Sequence, residues 1–320
     1  MSKNTSHINI RWPEGELVDD VISVLLKKLE HGENLALITL LDRVGATPRK
    51  IGSQMLVDTS GQYWGHVSGG CVEANLAIIA QDVISSGKLQ FISLGTGGDF
   101  VDISLPCGSR IDLVIEAITP NSTSVKALQQ AHAHRLPIQW IYNGELCSTS
   151  LESNKLRNAA GRDGNSYWWR HTPALRLMLH GHDAITLALT NLAQQMGWQI
   201  ILNGGTGNCD TPRGFKGTYL SCGSEALLQR YPADPYTACI SLMHDIEKDH
   251  HFLKNVLPSK AFYVGVLGSR QHLQERRQRL DAEKIAHNRL SAPVGLDIKA
   301  ATPYEIAVSI LAEIIEAKSA

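Results

Sequence analysis

Two cysteines of this chain stand beside glycine in settings where a thiol could do chemistry. Cys71 follows Ser68-Gly69-Gly70 and precedes Val72-Glu73 in the stretch GHVSGGCVE, and Cys107 precedes Gly108-Ser109 in LPCGSR. A helix N-terminus leaves its first N–H groups without partners and carries partial positive charge, so it attracts anions and favours a thiolate. Paired glycines let backbone approach a ligand with no side chain in the way. From these residues alone Cys71 is a nucleophile, a metal ligand, a cofactor contact or a small core residue, and the bland reading weighs as much as the sharp ones. The six cysteines are widely spaced with no CxxC pair, which argues against a structural zinc site or a disulfide scaffold and for a reducing, cytoplasmic setting.

A second group of candidates sits in the C-terminal half. In a parallel sheet, ligands bind beyond the carboxyl ends of the strands. His182, His244, Asp245, Gly268, Ser269 and Arg270 all follow apolar runs that read as strands. Gly268-Ser269-Arg270 at a strand-to-helix turn would seat a phosphate. The turn His180-Gly181-His182-Asp183 has a single glycine where a dinucleotide fingerprint needs three, and Asp183 points negative charge at any pyrophosphate. Asp249-His250-His251 lacks a partner at metal-ligand spacing. Gln274 to Arg279 reads as a solvated helix face, and Trp168-Trp169 as packing or a surface for a partner.

The elements that must position these residues follow from periodicity. Leu17 to Leu29 has helical spacing, Ala36 to Leu41 is a buried strand, and Met55–Val57 with Tyr63–Gly65 flank a hairpin turn. Val72, Leu76, Ile79 and Val83 share one helical face. Residues 91–94 and 111–115 are further strands. Residues 120–172 are polar and turn-rich and read as a connecting or edge segment. From Leu175 onward strands alternate with helices, ending in a helix opened by Thr302-Pro303-Tyr304-Glu305, a capping box with proline in the first turn. The expected fold is α/β: an N-terminal mixed α/β domain over 1–150 and a Rossmann-like, doubly wound parallel sheet over 172–320. The chain has 320 residues, 19% of them charged, and a net charge of −1, which leaves no electrostatic footprint for nucleic acid. No apolar run is long enough for a membrane span.

Three N-terminal motifs in order, GATPRKIGSQMLV, GHVSGGCVEANL and LPCGSRIDLVIE, resemble the XdhC/CoxI family of accessory proteins for molybdenum hydroxylases such as xanthine dehydrogenase and aldehyde oxidoreductase. YVGVLGSR and APVGLDIKAATPYEIAVSILAEII resemble the same family's Rossmann domain. The resemblance implies a chaperone without turnover of its own. It would bind the molybdenum cofactor (molybdopterin, or its cytosine dinucleotide form), protect it, support its sulfuration and insert it into an apo-enzyme. Implied partners are a cysteine desulfurase, a cofactor nucleotidyltransferase, a second copy of the chain and the apo molybdenum hydroxylase large subunit. The implied cofactor contacts are Arg49, Ser68, Gly69, Gly70, Cys71, Glu73, Cys107, Gly108, His244, Asp245, Gly268, Ser269 and Arg270, with Cys71 or Cys107 near the molybdenum and no other metal site. The Gly181-His182-Asp183 turn departs from the family's glycine-rich pattern, which weakens a nucleotide role there. An NAD(P)-dependent oxidoreductase and a Cys71-based transferase with His66 as base are the rival readings.

Overall fold

The computed structural model describes residues 18, 20–46, 49–70, 72–98, 109–143, 147–150, 159–206, 210–243, 245–268 and 270–319, with backbone alone at 123, 147–150, 270, 271 and 319. Cys71, Cys107, Gly108, His244 and Ser269 lie outside the described residues, as does the side chain of Arg270. The chain divides into two units, Met1–Pro173 and Ala174–Ala320.

The first unit is built on a five-stranded antiparallel sheet of order β3-β2-β1-β5-β4, from β1 (Leu35–Val44), β2 (Gln54–Asp58), β3 (Tyr63–Gly65), β4 (Gln90–Gly95) and β5 (Arg110–Ile118). Leu35 to Leu41 are all buried, because β1 is covered on both faces. Helix α2 (Glu73–Ser86) packs Leu76, Ala80 and Val83 against Ala36, Ile38 and Leu40. On the opposite face, α1 (Val21–Glu30), α3 (Thr123–Ala133) and a second sheet cover Leu35, Leu37 and Leu41. That second sheet, of order β7-β6-β9-β8, comes from β6 (Ile138–Asn143), β7 (Cys147–Ser150), β8 (Ala160–Asp163) and β9 (Ser166–His171). The segment expected to be a connection is therefore part of the core: Trp140, Tyr167 and Trp169 are among its most buried side chains. Its polar residues are edge and turn positions, and short strands separated by turns leave only a weak period-2 signal.

The second unit is a six-stranded parallel sheet of order β12-β11-β10-β13-β14-β15. Its strands are β10 (Arg176–His180), β11 (Gln199–Asn203), β12 (Thr218–Leu220), β13 (Thr237–Ser241), β14 (Tyr263–Val266) and β15 (Leu290–Ser291). Helices α4 (Ala184–Gln195) and α8 (Pro303–Ser319) cover one face. The other is covered by α5 (Ser224–Arg230), α6 (Ile246–Val256) and Leu280 of α7 (Arg270–Ala282). The strand order reverses its direction of progress between β10 and β13, as in doubly wound folds. The capping box forms as read: Thr302 Oγ1 accepts from Glu305 N, and Glu305 Oε2 accepts from Thr302 N at 3.0 Å.

Candidate functional site

In the first unit, the motif-bearing loops leave the same end of the five-stranded sheet. The carboxyl ends of β1, β3 and β4 and the amino ends of β2 and β5 all lie there. The backbone brings two of these loops together: Thr96 N donates to the Ser109 carbonyl at 3.3 Å, and a Cβ on Gly45 would lie 3.3 Å from that of Ser109. Gly45, Thr96 and Ser109 therefore lie together at this end of the sheet. Gly65, at the end of β3, is level through Met55 with Ile38, whereas Arg110 is level with Val44. The Ser68–Glu73 loop thus starts about 20 Å lower along the strands than the Ser109 segment, at 3.3–3.4 Å per residue.

The Ser-Gly-Gly turn differs from expectation in its chemistry. Gly69 and Gly70 take φ of 104° and 109°, which suits glycine, and both are exposed. Their N–H groups, however, point inward. Glu73, 0% exposed in the first turn of α2, accepts from Val67 N (3.1 Å), Ser68 N (2.8 Å) and Gly69 N (3.2 Å) on Oε1. Its Oε2 accepts from Gly70 N (2.9 Å), Val72 N (3.1 Å) and Ser68 Oγ (2.8 Å). Burial pushes this carboxyl up, but the Ser68 backbone and hydroxyl and the neighbouring N–H groups outweigh it and hold it below the usual carboxylate range. The anion that the turn was expected to receive from a ligand is supplied by the chain. Glu73, Ser68 and the two glycine N–H groups are accordingly parts of an internal clasp, and among the described residues of this turn Gly69 and Gly70 are the exposed ones.

Cations cluster at the same end of the sheet. Arg43 Nη1 donates to the Arg49 carbonyl at 3.0 Å, which links β1 to the GATPRKIG loop. Arg110, half-exposed at the start of β5, pairs through Nη2 with Asp112 at 3.3 Å, and Ser93 fixes that carboxylate. Arg49 is half-buried, and Arg43 and Lys50 are exposed. This end can hold an anion by side-chain charge, in place of the backbone donors first assigned to it.

In the second unit the strand ends are largely self-satisfied. Asp183 caps α4, accepting from Thr186 N (2.7 Å) and Thr186 Oγ1 (2.6 Å), so the helix end that would greet a pyrophosphate is closed by a carboxylate. A Cβ on Gly181 would meet Thr186 Oγ1 at 2.7 Å and Leu242 Cβ at 3.0 Å, so the position requires glycine for packing within the chain. Asp245 is likewise a helix cap, accepting from Glu247 N (2.9 Å) and Lys248 N (3.2 Å) of α6, and this occupies the carboxylate that was expected to contact cofactor. Gly268 is exposed at the end of β14. Two residues not singled out from the sequence are buried here. His180 stacks on Phe252 (centroids 5.3 Å apart, 3° between planes), and burial lowers its pKa to about 4, so it is neutral. Asn203, 0% exposed, binds Cys222 N and the Cys222 carbonyl, and its amide nitrogen lies 3.3 Å from His180 Nδ1. Polar residues closing an apolar strand were the available signal. The Gln274–Arg279 run is not a uniformly solvated face either: Arg276 is 4% exposed and pairs with Asp249. Among the described residues no His, Cys, Asp and Glu group could hold a metal ion.

Comparison with known proteins agrees with this two-unit plan. Residues 28–95 match the model of the XdhC and CoxI family, and residues 177–314 match the XdhC Rossmann domain. The chain is 29% identical over 310 residues to the molybdenum cofactor insertion chaperone PaoD of Escherichia coli (strain K12), covering 93% of this chain and 89% of that one. It is 25% identical over 328 residues to a probable xanthine dehydrogenase component of Bacillus subtilis (strain 168), covering 91% and 95%. A crystal structure described as a xanthine dehydrogenase from Bacillus halodurans superposes with a TM-score of 0.73 at 21% identity over 92% of this chain and 95% of that one, a likeness of fold. Both family models fall on the units that the fold defines, one on each, and the chain belongs to the XdhC and CoxI family.

Proposed function

We propose that this protein is a chaperone of the molybdenum cofactor, which holds the cofactor and delivers it to an apo molybdenum hydroxylase. The observation that supports this most is the cluster of Arg43, Arg49 and Ser109–Arg110 at the end of the first unit's sheet from which the Ser68–Glu73 loop also departs. They belong to a chain similar over nearly all its length to a cofactor insertion chaperone. The cofactor is a phosphate-bearing pterin whose dithiolene-held molybdenum carries the redox chemistry when it is bound to the target enzyme. Against it, the cationic side chains fit, the soft thiols of Cys71 and Cys107 fit by donor type, and the Ser68–Gly70 N–H groups do not, since Glu73 holds them. In this reading Arg49 attracts the anionic end, Cys71 and Cys107 contact or guard the metal end, and Glu73 shapes the loop that carries Cys71. A contact of the cofactor with Gly268, Ser269 and Arg270 in the second unit belongs to the same proposal. So do the cytosine dinucleotide form, a cysteine desulfurase and a nucleotidyltransferase as partners, a homodimer, and a cytoplasmic setting. No helix among the described residues is long and apolar enough to cross a membrane.

The rivals have less support. An NAD(P) oxidoreductase offers the N–H groups at the start of the first βα helix to a pyrophosphate, and here the Asp183 carboxylate takes Thr186 N. A Cys71 transferase with His66 as base predicts a covalent adduct on Cys71, which mass spectrometry of the substrate-treated protein would reveal. The chaperone is tested by purifying the protein from cells with the cofactor pathway intact and measuring molybdenum and pterin. Wild type should carry both, and Cys71→Ala should carry less at unchanged Tm. Equal occupancy in the two proteins would remove Cys71 from the site, and absence of pterin from wild type would overturn the reading.

A further inference from the structure

Helix α8 is apolar on two sides, and a helix on the surface of a lone domain needs only one. Ala307, Ile310, Leu311 and Ile314 face inward and are buried in the core of the second unit. Tyr304, Val308 and Ile315 recur at i, i+4 and i+11 on another side, and all three are exposed. Helix α4 packs beside α8, and across the pair Asn191 Nδ2 donates to the Tyr304 hydroxyl at 3.3 Å. Leu187, one turn before Asn191, is exposed on the same side of α4. The chain leading into α8 runs along it, since Leu296 N donates to the Ser309 carbonyl at 3.2 Å, and it adds Leu296 and Ile298.

These six side chains are between 36% and 54% exposed. They present on the order of 500 Å² of apolar surface, at the upper end of what a lone soluble domain shows. With the polar side chains around them the face approaches the roughly 800 Å² per partner that a stable dimer buries. Charge is sparse on this face. Helix α4, AITLALTNLAQQ, has no charged residue, although Ala184, Leu187, Asn191 and Gln195 are exposed along it. On α8 the exposed acids Glu305 and Glu316 border the apolar stripe. An apolar centre with charges at its rim is the anatomy of an interface. Left open to water between encounters, such a surface favours aggregation, which points to a permanent cover. Transient partners meet on faces of ordinary surface polarity, whereas homodimers meet on more apolar ones. A patch with no charge at its centre is also complementary to itself, as a two-fold interface requires.

We infer that the α4–α8 face of the second unit is the surface through which two copies of this chain pair. The inference gives a place to the homodimer named with the chaperone reading, and the face does not rest on that reading. Sedimentation velocity of the full chain across the micromolar range tests it. Wild type should sediment as a dimer. Val308→Arg and Leu187→Arg, each setting a charge at an exposed position, should shift the chain to monomer. Val308→Ser should raise the dimer dissociation constant about ten-fold or more, because the two-fold axis counts the lost apolar contact twice. Ile78→Arg, at a more exposed apolar residue of α2 in the first unit, should leave the dimer intact. Circular dichroism matching wild type in the arginine variants separates a lost interface from a lost fold. Wild type that stays monomeric throughout the range would overturn the inference, as would a dimer that withstands both Val308→Arg and Leu187→Arg. A monomer that carries molybdenum and pterin would sink the interface and leave the chaperone reading standing, and a dimer that never carries pterin would do the reverse.

Discussion

Two buried carboxylates of the first unit receive opposite treatment. Glu73 accepts five backbone N–H groups and a hydroxyl at the positive end of α2, and its pKa falls despite burial. Glu116, on β5, accepts from the indole Nε1 of Trp140 (3.1 Å) and of Trp169 (3.0 Å), whose rings stack 5.1 Å apart. There burial wins over the aromatic donors and the pKa rises to about 7. The lesson is one of donor number and dipole. A carboxylate in a ring of peptide N–H groups keeps its charge where the same group between two indoles is poised to lose it. The first builds a fixed anionic centre under the loop that carries Cys71. The second is a structural contact between the two sheets whose strength depends on pH.

Removing the charge at Glu73 should have the largest effect. Glu73→Ala leaves several buried donors unmatched and should destabilise the first unit by roughly 3–5 kcal/mol in urea unfolding, with loss of any bound cofactor. A cost below about 1 kcal/mol would mean that water replaces the carboxylate and the clasp matters little. Next comes pH. Because the folded pKa of Glu116 lies above its ordinary value of 4.5, its favourable contribution is complete below that value and is lost as pH rises through about 7. The swing should be about 3 kcal/mol, at 1.36 kcal/mol per unit. Glu73 has the reverse slope: its contribution is present above the ordinary carboxylate value and lost as pH falls through its lower folded value. Tm against pH should therefore fall toward alkali in wild type and flatten there in Glu116→Gln, while the acid limb persists. Trp140→Phe removes one donor to the Glu116 anion, so the alkaline transition should move to higher pH, with a stability cost of roughly 1–2 kcal/mol. The smallest change is Ser68→Ala, which deletes one of the donors to Glu73 and should cost about 1 kcal/mol. A null result for Ser68→Ala beside a large one for Glu73→Ala would assign the clasp to the peptide groups alone.

The parts of this fold that were readable had one dominant period. The fully buried run of β1, the helical face of α2 and the strand–helix alternation of the second unit all have apolar spacing that only one element satisfies. The β6–β9 sheet was not readable, because four short strands bury aromatic residues among polar edge positions. The motif-bearing loops could be picked out in the sequence, but the direction of their peptide donors could not. Which way a peptide N–H points depends on Glu73, and sequence shows that residue only as an acid at a helix start. Arg276 was hidden for the opposite reason. In a run of charged residues nothing marks the one side chain that meets Asp249 from α6.

The double-sided burial of β1 has a consequence for how this unit opens. The strand contributes Ala36, Ile38 and Leu40 to the layer that Glu73 heads, and Leu35, Leu37 and Leu41 to the layer beside Glu116. Its amides pair with β2 on one edge and β5 on the other. Neither layer can detach and leave β1 ordered with its apolar face in water, so the amide protons of β1 exchange with solvent only when the whole unit opens. Deuterium uptake at Leu37 and Ile38 then measures the opening of the whole unit whichever carboxylate is altered, a common scale for the two layers of the molecule's first half.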